Sequence, residues 1–214
     1  ALKPFPLREF DGEGVHLAFV GPVARVERGE VTGDQAKAAF VALAALPGRP
    51  RIVLEAIGNE GRVRWRIGTR PERLAQALAA ITTHVPSARV ESMAVTVKQP
   101  GVASAAGTAA SVRLPGSRHL PLRYDAGEAV TRGLLAALAD TRASEQLRTQ
   151  LILGPRLRPR WVRDIDVVER RAVTIKLAEH GFGCALRIQA RAATPERAHS
   201  LVLAVGAALR GLEV

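Results

Sequence analysis

Residues 51–81 read RIVLEAIGNEGRVRWRIGTRPERLAQALAAI, and this stretch predicts a β-hairpin followed by a helix. Two runs rich in β-branched and other apolar residues flank the glycine-bounded segment GNEG at 58–61, which is typical of a hairpin turn. Apolar residues and arginines alternate along the second run, so one side of that strand should face a core and the other should be cationic. The core-facing residues would be Val63, Trp65 and Ile67, and the cationic residues would be Arg62, Arg64 and Arg66.

The residues after the hairpin predict an amphipathic helix. Thr69 and Glu72 have the spacing of a capping box, in which each side chain satisfies a backbone N–H at the helix start. Apolar positions then recur at intervals of three or four residues and mark a buried stripe. The members of this stripe are Leu74, Leu78, Ile81 and Val85.

A second stretch, near the other end of the chain, echoes the first. Residues 184–209 read CALRIQARAATPERAHSLVLAVGAAL and share with residues 64–81 an arginine-flanked strand, the tripeptide PER and an alanine-rich helix. We expect AVTIKLAE at 172–179 to be the first strand of a second hairpin, with its turn at 180–183. Thr194 should cap the last helix. The echo predicts that the chain contains one structural unit twice.

The order of predicted elements indicates the fold. Residues 15–97 give strand, helix, strand, strand, helix, strand, which is the order of the ferredoxin-like unit. We therefore predict an α+β fold of duplicated ferredoxin-like βαββαβ units, with helices on one face of antiparallel sheets. The expected domains are residues 1–100 and 111–214, joined by a linker at 101–110. Because RGLEV at 210–214 falls where the last strand should begin, we expect the second unit to be truncated and the chain to be part of a longer protein.

The charge of the chain favours an anionic partner. Its 31 lysines and arginines exceed its 20 aspartates and glutamates, which gives a net charge of +11 at pH 7. Such an excess is typical of proteins that bind nucleic acid or a phospholipid surface. GC-rich coding also enriches a chain in arginine and alanine, so the excess can arise without selection for binding.

Sequence motifs for catalysis and metal binding are absent. There is no G-x-x-x-x-G-K-[ST] phosphate loop, so we expect neither ATP hydrolysis nor tight ATP binding. The five histidines never reach the paired spacing of a zinc site. Cys184 is the only cysteine, which rules out an internal disulfide. We predict no catalytic residue, no cofactor and no metal site.

The segment GPRLRPRWVRDIDVVERR at 154–171 has no counterpart in the first half and is the main candidate for a partner site. Pro155 and Pro159 should hold it extended and away from sheet pairing. Extended arginines beside an aromatic residue can contact phosphates and stack on a base, or dock on an acidic protein. An inter-domain loop whose tryptophan packs over the sheet is the alternative. The candidate contact residues are Arg156, Arg158, Arg160, Trp161 and Arg163, and an alternative surface is formed by Arg62, Arg64 and Arg66.

Three runs of the chain resemble the region ahead of the motor domain in conjugative DNA-transfer ATPases of high-GC bacteria, the coupling proteins and related ATPases of type IV secretion. These runs are GLLAALADTRASEQLRTQLILGPRLRPR, VLEAIGNEGRVRWRIGT and LAEHGFGCALRIQARAATPERA. The resemblance implies a membrane-associated N-terminus, this accessory region, and then a hexameric RecA-like ATPase that drives single-stranded DNA or protein through a channel. The family's ATPase motifs are absent here, so none of its catalytic residues is carried over. The resemblance therefore implies a non-catalytic module in the cytoplasm, held at the inner face of the membrane through the parent protein.

Functions from different classes remain open. The first is an accessory domain of such an ATPase, used for oligomer assembly or substrate recruitment. Its partners would be the motor domain, secretion-channel or substrate proteins, and DNA. The second is an independent nucleic-acid-binding module with an arginine-rich surface, although RNA-binding domains of this fold stack bases on sheet aromatics and Trp65 should point away from the arginines. A small-molecule enzyme is a third, because a fold does not fix a function.

Overall fold

A computed structural model describes residues 2–4, 16–20, 33–48, 50–86, 88, 90–92, 106–112, 126–157, 167–178 and 181–212. The strands in these ranges are β1 (Leu2–Pro4), β2 (His16–Val20), β3 (Ile52–Asn59), β4 (Arg62–Thr69), β5 (Val90–Ser92), β6 (Ala106–Val112), β7 (Gln146–Leu157) and β8 (Gly181–Ala192). The α-helices are α1 (Gly33–Ala44), α2 (Pro71–His84), α3 (Gly127–Ala139), α4 (Val167–Ala178) and α5 (Pro195–Leu209), and a 3-10 turn follows at Arg210–Leu212.

The described strands form one antiparallel sheet of eight strands in the order β1-β6-β8-β7-β3-β4-β2-β5. Strands β3 and β7 lie side by side at its centre, with Ile52 opposite Leu153 and Gly58 opposite Leu147. The two halves of the chain therefore share a continuous sheet, a question that the sequence leaves open. The predicted combination of antiparallel strands and helices is confirmed.

The strands of both halves follow a corresponding order outward from the central pair. In the first half the order is β3, β4, β2 and β5, and in the second half it is β7, β8, β6 and β1. The outermost position of the second half is thus occupied by the N-terminal strand, in which Leu2 lies opposite Val112 of β6. The sheet is consequently built of two four-stranded halves, which meet at the β3–β7 pair.

The second hairpin differs from the predicted one. Residues 167–178 form α4, so the strand predicted at 172–179 is wrong. Strand β8 pairs instead with β7, and α4 lies between these two strands in the chain. The positions Val173, Ile175 and Leu177 alternate like a strand, but a run this short does not distinguish strand from helix. In α4, Val173 is buried whereas Ile175 is exposed.

The first hairpin is confirmed and has a two-residue turn. Glu60 and Gly61 connect β3 to β4 with φ angles of 51° and 71°. Positive φ at both central residues is the pattern of a type I′ turn, whose twist matches that of the flanking strands. The N–H of Gly61 also donates to the carbonyl of Thr141 at 2.8 Å, so the hairpin turn contacts the loop after α3.

Helices α1, α2, α3 and α5 pack on one face of the sheet and form two core clusters with it. Helices α1 and α2 contribute to one cluster, and α3 and α5 contribute to the other. Burial of these side chains is the main stabilising contribution that the sheet and helices make together. The first cluster includes Leu43, Ile52, Ile67 and Leu74, and the second includes Leu138, Leu147, Ile188, Leu201 and Val205.

Of the two predicted helix caps, one is confirmed and the other is wrong. Thr194 caps α5 as predicted, because its side chain accepts a hydrogen bond from the N–H of Arg197 at 3.2 Å. The capping box predicted for Thr69 and Glu72 is wrong, because Arg70 takes the N-cap position of α2 and makes no side-chain cap. Thr69 still belongs to β4, and its buried hydroxyl donates to the carbonyl of the residue before β3.

Residues 106–110 of the expected linker belong to a strand, since Ala106–Val112 form β6. Strand β6 pairs with β8 along its whole length. At the other end, the segment 210–214, where a last strand was expected, begins with a 3-10 turn at Arg210–Leu212. Residues 213 and 214 lie outside the described residues.

Candidate functional site

The segment predicted as the partner site is in part a strand. Arg156 belongs to β7 and pairs with Phe182 of β8. The expectation that Pro155 holds the chain away from the sheet is therefore wrong. The register shifts between Leu153 and Arg156, and such an irregularity accommodates a proline, which has no N–H to give to the strand ladder.

The rest of that segment lies partly in a helix and partly outside the described residues. Residues 167–171 are the beginning of α4 and are not irregular. A role of this segment in partner contact stays a prediction. The candidate residues Arg158, Arg160, Trp161 and Arg163 lie outside the described residues.

The alternative surface lies on β4. Arg62, Arg64 and Arg66 alternate with apolar residues along this strand, and Arg62 and Arg64 are exposed. Arg66 is more covered, with 27% of its side chain exposed. Trp65 lies on the opposite, helix-covered side as predicted, but it belongs to neither core cluster and stays 37% exposed.

The register of the central strands adds a row of polar residues to this surface. Residues that lie opposite each other in an antiparallel pair point to the same face of the sheet. Arg66 of β4 is opposite Glu55 of β3, which is opposite Gln150 of β7. Gln150 is in turn opposite Arg187 of β8. Arginines of β4 and β8 therefore share one face with a glutamate and a glutamine between them.

Two more rows complete this surface. Arg64 lies opposite Ile57, which lies opposite Arg148 of β7. One row further, Arg191 of β8 lies opposite Gln146. Arginines two residues apart on a strand repeat about every 7 Å, and neighbouring strands lie about 4.8 Å apart. We call the resulting surface the arginine face; it consists of Arg62, Arg64, Arg66, Arg148, Arg187 and Arg191.

Glu55 is the acidic residue at the centre of the arginine face. Its Oε1 accepts a hydrogen bond from Gln150 Nε2 at 2.7 Å and lies 3.2 Å from Arg148 Nε. Its Oε2 lies 3.9 Å from Arg66 Nη1, close enough for attraction between charges but too far for a hydrogen bond. Glu55 is only 1% exposed and Arg148 only 7%. The centre of the face is therefore a buried charge cluster.

The hydrogen bonding of this cluster is incomplete. Among the described residues, neither Glu55 Oε2 nor Arg148 Nε has a hydrogen-bond partner. Arg148 Nε is within ion-pair distance of the carboxylate, but its N–H does not point at the oxygen. Arg148 does donate through Nη2 to Gln146 Oε1, at a long 3.4 Å. Buried polar groups are rarely left unpaired, so this cluster has capacity for further polar contacts.

Burial and neighbouring charges both shift the pKa of Arg66 at the centre of the face. Burial lowers the pKa of Arg66; the carboxylate of Glu55 opposes this shift, and the charges of Arg148 and Arg64 add to it. The net shift of the Arg66 pKa is downward, although an arginine remains protonated in proteins. Burial is thus the main cause of the shift, and the carboxylate of Glu55 offsets it only in part.

Sequence reasoning found β4 and missed the other strands of the face. The sequence did carry a signal, since Glu55 interrupts the apolar run RIVLEAI and arginines alternate with apolar residues in LRIQARA. It could not show the pairing, because Glu55 and Gln150 are 95 positions apart in the chain.

A second charged cluster holds the loop after α3 against the start of α5. Arg197 donates from Nε and Nη2 to the two carboxylate oxygens of Glu145, each at 3.0 Å, and from Nη1 to Asp140 at 3.1 Å. The backbone N–H of Arg142 also donates to Glu145, at 3.0 Å. Both oxygens of this buried carboxylate are satisfied, so we assign the cluster a structural role.

The arginine of each PER tripeptide lies near a turn that follows a helix. Arg197 is the arginine of the second PER and reaches the loop that follows α3. The arginine of the first PER is Arg73, whose Nη2 lies 3.7 Å from the position that a Cβ on Gly48 would take, in the turn after α1. The PER arginine of the first half thus approaches the turn after α1, and that of the second half contacts the loop after α3.

Replacing Glu145 with glutamine is expected to lower the free energy of unfolding by about 2 kcal/mol at neutral pH, because Arg197 loses charge-assisted hydrogen bonds but keeps its contacts with Asp140. The hydrogen bonds from Arg197 hold the pKa of Glu145 below its usual range, although burial opposes this shift. A carboxylate with a lowered pKa in the folded state contributes stability above its unfolded pKa of about 4.3. That contribution is lost as the pH falls through the folded pKa.

Chemical denaturation of both proteins from neutral pH into the acid range measures this effect. The stability difference between wild type and E145Q should shrink as the pH falls. Asp140→Asn is the control, because Asp140 is mostly exposed and its pair with Arg197 should contribute about 0.5 kcal/mol. A difference that stays constant with pH would contradict the assignment.

The remaining observations bear on other classes of site. In the ranges that the structure describes, no three His, Cys, Asp or Glu residues come together in a way that could hold a metal ion. No helix within those ranges combines the length and apolar character needed to span a membrane. Comparisons with protein-family models, with curated proteins and with solved structures find no match for this chain.

Proposed function

We propose that this chain is a non-catalytic accessory domain of a conjugative or secretion ATPase, and that its arginine face recruits single-stranded DNA for the motor. The observation that carries the proposal is the strand register, which brings arginines of β4, β7 and β8 onto one face of the sheet. The sequence resemblance supplies the setting, because ATPases of that family move single-stranded DNA. The motor domain of the parent protein would be the second partner, directly or through oligomer assembly.

The chemistry of the face favours contacts to phosphates over contacts to bases. A guanidinium group forms paired, charge-assisted hydrogen bonds with phosphate oxygens. Base stacking requires aromatic side chains. The register places one aromatic residue, Phe19 of β2, opposite Arg66, and none is present among the described side chains of this face on β3, β4, β6, β7 and β8. Contacts to the backbone carry no direct sequence information. We therefore expect binding that tolerates any base sequence.

We also infer that the two halves are copies of one ferredoxin-like unit. Three features support this: the corresponding strand order outward from β3 and β7, the helix that follows β4 and β8, and the placement of Arg73 and Arg197 near the turns after α1 and α3. The copies differ by the insertion of α4 and by the source of the outermost strand. The arginine face would then combine residues from the sheets of two fused units.

Titration of a fluorescein-labelled oligothymidine, followed by fluorescence anisotropy, tests the proposal. We expect binding at about 50 mM salt that weakens steeply as salt is added, because the arginines release condensed counterions. With about four phosphate contacts, the logarithm of the binding constant should fall with a slope of about −3 against the logarithm of the salt concentration. An oligoadenosine should give a similar slope. Absence of binding at low salt, or binding that salt does not affect, would overturn the proposal.

An independent nucleic-acid-binding module is the second candidate. The net charge of +11 and the arginine face favour it, since neither requires a motor. Deletion of this domain from the parent protein distinguishes the two. An accessory role requires that DNA transfer is lost while ATP hydrolysis is kept, whereas an independent module would leave transfer unchanged.

A further inference from the structure

Glu55 and Glu145 are both buried, but their carboxylates are satisfied to different degrees. Both oxygens of Glu145 accept hydrogen bonds, from Arg197 and from a backbone N–H. Glu55 accepts one hydrogen bond, from Gln150, and its Oε2 accepts none among the described residues. A carboxylate with a purely structural role is expected to resemble Glu145, because an unmet buried acceptor is costly. A purely structural role therefore does not explain why Glu55 Oε2 is buried without a hydrogen bond.

Arg66 connects this carboxylate to the accessible part of the face. Its Nη1 lies 3.9 Å from Glu55 Oε2, so the two groups attract each other without sharing a hydrogen bond. The Arg66 side chain keeps 27% exposure, whereas that of Glu55 has none. Gln150 and Arg148 hold Glu55 from the other side. Arg66 can therefore turn toward a ligand while Glu55 keeps its remaining contacts.

We propose that Glu55 is an internal counter-charge that competes with a phosphate group for Arg66 and so limits how tightly the arginine face holds a polyanion. The inference rests on the proposed function and names a regulating residue within the same site. A phosphate oxygen can bind a guanidinium at about 2.8 Å, which is closer than Glu55 approaches Arg66. While Glu55 attracts Arg66, this arginine holds the phosphate less tightly, which favours release. A surface that passes a moving strand to a motor needs such release.

Glu55→Gln removes the charge and keeps the shape of the side chain. We expect this variant to bind oligothymidine about fivefold more tightly at about 50 mM salt, since Arg66 no longer has an internal carboxylate that competes with the phosphate. The change should appear mainly as slower dissociation. It should diminish at high salt because the charge interaction is screened. Stopped-flow anisotropy gives the dissociation rate and equilibrium titration gives the affinity.

Asp140→Asn is the matched control, because it adds the same net charge at a loop away from the arginine face. We expect it to change the affinity by less than about twofold, as distant exposed charges are screened. Arg66→Gln supplies a second control, since a Glu55 that acts through Arg66 has little effect once Arg66 is gone. The gain from E55Q should therefore largely vanish in the R66Q background, which a merely structural role of Glu55 would not produce.

A compensated variant covers the case in which E55Q fails to fold because Arg148 stays buried without a counter-charge. Glu55→Gln combined with Arg148→Met removes both members of the buried pair, and such replacements are often tolerated. Because Arg148 is only 7% exposed, its loss removes little direct contact with a ligand, and this protein should bind oligothymidine at least as tightly as wild type. Weaker binding than wild type by more than about threefold would overturn the inference.

The other outcomes also separate the two proposals. If wild type binds and a folded E55Q binds no more tightly than D140N, Glu55 is not a counter-charge to the ligand, while the proposed function stands. If neither wild type nor E55Q binds oligothymidine or inorganic polyphosphate, both proposals are wrong. If wild type and E55Q both bind polyphosphate but not DNA, the proposal that DNA is the ligand is wrong. Tighter binding of polyphosphate by E55Q would then still support the role of Glu55 as a counter-charge.

Discussion

Reversing Arg62 and Arg64 to glutamate is expected to lower the affinity for single-stranded DNA about 100-fold at low salt. Each substitution removes one phosphate contact and adds one repulsive charge, and about 0.7 kcal/mol for each of these four changes gives a factor of about 100. Both side chains are exposed on β4, so the fold should tolerate the change. The slope of affinity against salt should also become shallower, by about 1.4 for two lost contacts to a single strand.

The matched control reverses Arg132 and Arg210, which alters the net charge by the same amount. Both residues are exposed on helical elements, Arg132 on α3 and Arg210 after α5. We expect a loss of less than about fivefold from this control, because it lacks direct contact with DNA. Equal losses in the two variants would mean that only the net charge matters, and the arginine face would have no special role.

A third variant decides between the two surfaces that the sequence offers. It reverses Arg156, Arg158 and Arg160 in the segment after the bulge of β7. If this variant loses DNA binding while R62E/R64E keeps it, the partner site lies in that segment and the arginine face is not the site.

Gly58→Ala is expected to lower the free energy of unfolding by about 4 kcal/mol, a large part of the stability of a typical domain. An added Cβ would lie 2.0 Å from the carbonyl oxygen of Leu138 and 2.8 Å from its carbonyl carbon. These are backbone atoms of α3 and cannot turn aside as a flexible side chain can. The side chain of Leu138 is fully buried, and the hydroxyl of Thr141 donates to its carbonyl at 3.0 Å, so α3 is held in place over β3.

Urea denaturation of wild type and G58A measures the loss. Gly127→Ala is the control, because a Cβ at that position in the first turn of α3 would meet no atom within 4 Å. Alanine is also a better helix former than glycine, so this control should be neutral or slightly stabilising. A loss below about 1 kcal/mol in G58A would show that α3 does not press on β3 as closely as the structure indicates.

The elements that the sequence predicted correctly are those encoded by neighbouring residues. The first hairpin follows from the glycine-bounded turn, where Glu60 and Gly61 take positive φ, and from the alternation along β4. The cap of α5 follows from Thr194. In these cases the residues that specify the structure lie within a few positions of one another, so their pattern can be recognised without knowledge of the rest of the chain.

The errors arose where a local pattern has more than one solution. The run AVTIKLA alternates like a strand, yet it lies in α4, because a short apolar pattern is compatible with both structures until its packing is known. Thr69 has the spacing of a capping residue, but β4 continues through it and the helix begins later. Pro155 was expected to end sheet pairing, whereas the strand continues past it through a register shift.

By itself, the sequence determined the antiparallel, helix-bearing character of the fold and the positive charge of the chain, since both depend on composition and local periodicity. It also showed that Arg62, Arg64 and Arg66 share one side of a strand. Only the tertiary structure decided that strands of both halves join in one sheet and that Glu55 lies buried among arginines from distant segments. The physical reason is that strand register is set by packing between residues far apart in the chain, and a shift by one residue would turn every side chain to the other face.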